Sequence, residues 1–165
     1  MRIPICVQSL IMNEWISQWQ AVRQQITEIG QRHHRIPGDV NLLAVSKTFP
    51  AQAVVEVARA GQRHFGENYI QEGVDKIAQV AALAPDLAHE LVWHCVGPIQ
   101  SNKTRQVAAH FQWVHTIDRF KIAQRLNDQR PTHLPALNVL IQVNMDGGEN
   151  KSGVAPSEAL ELARA

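Results

Sequence analysis

"LLAVSKTFPAQAVVEVARAGQRHFG", residues 42–66, sets the pattern for the whole chain. An aliphatic run, residues 41–46, reads as a short strand and ends at a lysine. Pro50 then opens a helix that Gly61 closes, the usual placement of proline early and glycine just past the end. "RHFG" (63–66) reads as the next strand. Strand, helix and strand in so few residues is the unit that makes parallel sheets.

The unit recurs. A helix is expected over 68–84, with Ile70, Val74, Ile77 and Val80 on one face. "LVWHCVG" (91–97), "WVHTI" (113–117) and "LNVLIQVN" (137–144) read as strands. Helices are expected over 101–111, 118–129 and 156–165, and "RPTHLPA" (130–136) is a loop too short to divide domains. Ahead of the first strand, Ile16, Trp19, Val22, Ile26 and Ile29 form an apolar stripe, with Asn13 as the expected cap and Gly30 as the stop. Met12 looks like a natural start, so residues 1–11 are read as an extension. The expectation is one α/β domain over residues 1–165, a leading helix followed by five strand–helix units.

Five units suit either a complete doubly wound sheet or the first part of an eight-unit barrel. Length alone favours the sheet, because a full barrel takes about 250 residues. No GxGxxG follows any expected strand, so the dinucleotide fingerprint is missing.

Composition narrows the function classes. A 165-residue chain with 45% hydrophobic and 19% charged residues is that of a globular protein. A net charge of +1, with its five lysines scattered singly, gives no reason to expect a nucleic-acid or membrane partner. Two cysteines, Cys6 and Cys95, make no disulfide framework, so a cytoplasmic location is expected. Eight histidines show no HxxxH or HExxH spacing, and no metal site is expected.

Ligands of parallel α/β folds sit beyond the carboxyl ends of the strands. Lys47 stands there, where an apolar run becomes a loop. Partial burial would favour its neutral amine, a nucleophile toward aldehydes, although strand-end lysines ordinarily reach for water. Asn68 could bond a ligand or cap the following helix. His94 could line the pocket or be a hydrogen-bonded interior histidine. Asn144 could line it or brace its loop, and Asp118 reads as a helix cap. "MDGGENKSG" (145–153) lacks the glycine that a phosphate loop needs directly before its lysine.

Together "LLAVSKT", "GQRHFGENYIQE", "WHCVGPIQSNK", "HTIDRFKIAQRLN" and "LIQVNMDGGENKSG" resemble, in order, the pyridoxal phosphate (PLP) homeostasis proteins. These are PLP-binding barrels similar to the N-terminal domain of alanine racemase. The resemblance runs from about residue 13 to the end. It implies a TIM-like (β/α)8 barrel of which the first five or so units are present. It implies that Lys47 holds PLP as an internal aldimine, with Asn68, His94 and Asn144 expected in the pocket lining. It implies a monomeric, non-catalytic carrier that supplies PLP, with PLP-dependent apoenzymes as partners. An amino-acid racemase or Schiff-base lyase on the same barrel is the alternative, and a cofactor-free binding module a third.

Two positions depart from the family pattern: Phe49 where relatives often carry a second lysine, and Cys95 where a bulkier apolar residue is common. Relatives continue through three more units, which carry a Ser/Thr–glycine phosphate cradle and an arginine facing the pyridine nitrogen. The expectation is therefore a fragment that carries the lysine but not that cradle.

Overall fold

A computed structural model describes residues 5–148 and 150–165, the side chains from Glu14 onward. The elements in order are α1 Ile5–Arg32, β1 Ala44–Val45, α2 Ala51–Arg59, β2 His64–Glu67, α3 Ile70–Leu83, α4 Pro85–Ala88, β3 Val92–Cys95, α5 Thr104–His110, β4 Trp113–Ile117, α6 Phe120–Gln129, β5 Asn138–Ile141 and α7 Ala159–Arg164. Only α4, a single turn begun by a proline, has no counterpart in the expected order.

The five strands form one parallel sheet in the order β1-β2-β3-β4-β5. That order decides between the two architectures. A doubly wound sheet reverses direction at a switch point and carries helices on both faces. Strictly consecutive parallel strands with right-handed crossovers place every helix on one face. The contacts α2–α3, α3–α5 and α5–α6 show the helices side by side on that face. The fold is therefore an arc of a β/α barrel.

Side-chain alternation divides the sheet into two faces. Phe65, Trp93, Cys95 and Val114 point to the helices and are 0–3% exposed. They meet Val54, Val55 and Ala58 of α2, Val80 of α3, Val107 and Ala108 of α5, and Ile122 and Leu126 of α6. Phe111, just after α5, completes this layer, and Gly73 of α3 makes room for it. A Cβ on Gly73 would stand 2.9 Å from the Phe111 ring and 3.0 Å from Glu67 Cβ. The other face, toward the barrel axis, carries His64, His94, Trp113 and His115.

The leading helix departs from expectation at both ends. It starts at Ile5 rather than at an Asn13 cap. It runs past Gly30 to a left-handed His34 (φ 53°). Arg35 N–H donates to Gly30 O (2.9 Å) and His34 N–H to Gln31 O (3.1 Å), the paired bonds of a Schellman stop. Its stripe is only partly covered, with Val22 and Ile29 exposed. Trp19 Nε1 ties it to the sheet by donating to Gln62 Oε1 at 2.9 Å. No described helix is long and apolar enough to cross a membrane.

Candidate functional site

The carboxyl end of β1 leads into a tight turn, Ser46–Phe49, closed by Phe49 N–H donating to Ser46 O at 3.0 Å. Lys47 is its second residue and Thr48 its third. Thr48 has φ 67°, where type II turns ordinarily place glycine. A β-branched residue in that region costs about 1–3 kcal/mol and persists only where its surroundings hold it. Here Thr48 N–H donates to Glu72 Oε1 at 2.7 Å, from the first turn of α3. That bond, then the neighbouring Lys76 ammonium, holds the Glu72 carboxyl below its usual range.

Lys47 itself is exposed. The expected partial burial is corrected: β1 lies at one end of the sheet, and the turn carries the lysine past the strand. No described carboxylate pairs with it.

Beneath the turn lies a cluster that the sequence reading did not assign. Ser46, Glu67 and Lys76 are all buried. Ser46 Oγ donates to Glu67 Oε1 at 2.6 Å. The Lys76 ammonium donates to Ser46 O (2.6 Å), Glu67 Oε1 (2.8 Å) and Glu72 Oε1 (3.0 Å), using all three protons. Two signals in the sequence point here: a glutamate ending the strand "HFGE", and the i,i+4 pair Glu72–Lys76.

Asn68 follows β2, beside the Lys47 turn, and is half-buried. It does not cap α3, whose N-cap is Tyr69 with no side-chain capping bond. Its main chain is clamped by the end of β3, where a Cβ on Gly97 would stand 1.9 Å from Asn68 O. Gly97 O in turn accepts from Thr116 Oγ1 at 2.7 Å, so the ends of β2, β3 and β4 interlock.

His94 lies within β3 rather than beyond it. Its Nε2 faces His64 Nδ1 and its Nδ1 faces His115 Nε2, each at 2.9 Å. Its ring stacks on Trp113, with centroids 5.6 Å apart. Burial, then His115 and His64, pushes its pKa down to about 4, and burial lowers His115 as well. Both ring nitrogens are thus engaged by other imidazoles.

Asn144 lies beyond β5, four strands from Lys47, about 19 Å along the sheet at 4.8 Å per strand. It braces the 145–153 loop: its Nδ2 donates to Gly148 O and Lys151 O, and its Oδ1 accepts from Gly147 N–H. Asp118 accepts from Arg119 Nε at 3.0 Å and does not cap α6, whose N-cap is Arg119. Lys47 and Asn68 thus follow the ends of the paired neighbours β1 and β2, while His94 and Asn144 lie in networks of their own. A cavity of about 500 Å³ is lined by Asn41, Leu42, Arg63 and His64, at the opposite ends of β1 and β2 from Lys47.

A family model for the N-terminal domain of alanine racemase matches residues 18–165. The chain belongs to the alanine racemase N-terminal domain family. The pyridoxal phosphate homeostasis protein of Vibrio cholerae is 56% identical over 142 residues, 86% of this chain and 59% of the relative. The protein of the same name from Escherichia coli strain K12 is 53% identical over 154 residues, 93% of this chain and 64% of the relative. The solved structure of PipY from Synechococcus elongatus with PLP bound superposes with a TM-score of 0.61, at 33% identity, over 82% of this chain and 61% of that one. This alanine-racemase-like chain spans about 60% of the length of the curated relatives it matches.

Proposed function

We propose that the chain belongs to a PLP homeostasis protein and contributes the lysine that holds the cofactor, Lys47. The observation that carries this reading is an exposed amine with no described ion-pair partner, on a braced turn at the carboxyl end of a barrel strand. The names of the homologues and the PLP-bound neighbour support it. PLP supplies an aldehyde, with which a neutral amine condenses, losing one water. Lys76, the other amine of the site, has all three protons committed to protein oxygens, which leaves Lys47 as the acceptor. Asn68, which follows the neighbouring strand β2, is proposed as part of the lining beside it. His94 and Asn144 are proposed as outer parts of the lining, His94 through the histidine row and Asn144 through its loop.

The role is that of a non-catalytic, monomeric carrier in the cytoplasm, handing PLP to apoenzymes. Acid–base catalysis on a PLP adduct needs a group aimed at its carbon from a second element. The site's only tyrosine, Tyr69, is 59% exposed at the N-cap of α3 and makes no side-chain bond to the Lys47 turn. The test is borohydride reduction in the presence of PLP, followed by peptide mapping. Label is expected on Lys47, and none on Lys47 in the mapped digest refutes the assignment. Failure to interconvert alanine enantiomers with added PLP is expected of a carrier, and turnover would refute that role.

A further inference from the structure

The carbonyl oxygen of Ser46 has two partners. It closes the Ser46–Phe49 turn by accepting from Phe49 N–H, and it accepts from the buried Lys76 ammonium at 2.6 Å. The peptide bond that begins at this oxygen leads directly into Lys47. Lys76 thus grips the chain one residue before the proposed acceptor. Glu72, bonded to the same ammonium, grips it one residue after, through Thr48 N–H. Both come from α3, and the ammonium is fixed to the sheet by Glu67, whose side chain is 0% exposed.

A purely structural ion pair would need only Lys76 and Glu67. Here the third proton and the second carboxylate both go to the two sides of one residue, and they hold a threonine in a backbone region it disfavours. We infer that Lys76 is a positioning residue: with Glu72 it forms a clamp that fixes the direction in which Lys47 presents its amine to the cofactor. This rests on the function proposed above and adds to it a residue that does not touch the cofactor. Orientation of a reacting group is worth large factors in rate, and a misplacement near 1 Å can cost about a hundredfold.

The test uses the full 165-residue chain in two variants. Glu72→Ala removes the Thr48 grip from a partly exposed helix position and leaves the core intact. The double variant Lys76→Met/Glu67→Gln removes the ammonium without leaving a buried charge unpaired. Three rates are read: amide hydrogen exchange at Thr48, PLP attachment to Lys47 trapped by borohydride, and reductive methylation of Lys47 by formaldehyde. Formaldehyde is small enough to report the amine's intrinsic reactivity, whereas PLP also requires its direction. Expected in both variants are Thr48 exchange at least about tenfold faster, PLP attachment at least about tenfold slower, and unchanged methylation. Thr48 exchange and PLP attachment at wild-type rates overturn the clamp, as does a parallel fall in PLP attachment and methylation. Should the double variant fail to fold, the Glu72→Ala result decides. A wild-type chain that takes no PLP on Lys47 overturns the proposed function, whereas a labelled wild type matched by its variants overturns the clamp alone.

Discussion

Of the glycines, Gly97 has the least room for an added methyl, and Gly97→Ala should be strongly damaging. The added Cβ would stand 1.9 Å from Asn68 O, 2.7 Å from Asn68 C and 3.0 Å from Asn68 Cα. Real Cβ contacts essentially never fall below 3.0 Å, so about 1 Å must be found between two pieces of main chain. Neither yields easily. Val96 N–H donates to Glu67 O at 2.9 Å on one side of the contact, and Thr116 Oγ1 holds Gly97 O on the other. Overpacking a core costs about 1–3 kcal/mol, and a contact between two backbones belongs at the upper end. For a domain of this size that lowers the melting temperature by about 6–12 °C. Thermal melting by circular dichroism reads it, with Gly148→Ala as the control. Around Gly148 the nearest atom to a new Cβ is 3.6 Å away, and the melt should not move. Because the displaced atoms belong to Asn68, PLP labelling of Lys47 should also slow. A Gly97→Ala protein melting within about 2 °C of wild type would refute the interlock of β2, β3 and β4 described here.

Acid should act through the histidine row. His94 is held down to about 4, against an ordinary value of 6.5, so the unfolded chain takes a proton that the folded chain refuses. The resulting stability is whole above pH 6.5 and is lost as pH falls toward 4, on the order of 3 kcal/mol at most. Melting temperature plotted against pH should flatten over that window in His94→Gln, and an unchanged slope rejects the assignment. Cys95 is buried and its thiol is pushed up to about 11, so iodoacetamide at pH 8 should leave it unmodified until urea unfolds the chain. Peptide mapping showing native-state alkylation of Cys95 would contradict this. Lys47→Ala should abolish the PLP-dependent absorbance band of a full-length form, and Lys103→Ala, at the N-cap of α5, should leave it intact.

The order of elements could be read from the sequence because hydrophobic period and helix punctuation are local signals. Pro50 and Gly61 bracket α2 as expected, and the expected strand 113–117 is β4 residue for residue. Strand lengths were less legible. Of residues 41–46 only Ala44–Val45 pair as a strand, since a ladder depends on what β2 offers opposite. The choice between sheet and barrel was hidden from local signals, because it lies in strand order, a property of the whole chain. In the site, Lys47 could be singled out by its place at the end of an apolar run. Lys76 is signalled only by its i,i+4 spacing from Glu72, which reads equally well as a solvated pair on a helix face. Only the approach of Glu67 from a strand nine residues back explains its burial. The histidine row was likewise illegible, because His64, His94 and His115 are separated by 30 and 21 residues and meet only through parallel register.

That row has a consequence for where protons can sit. His94, held down to about 4, is the neutral middle ring of two N···N contacts, and its single ring proton lets it give at only one side while it receives at the other. The two bonds therefore run in the same sense around the arc, either from β2 toward β4 or from β4 toward β2. Tautomer is then a property of the row and not of any ring, and reversing it at β2 reverses it two strands away.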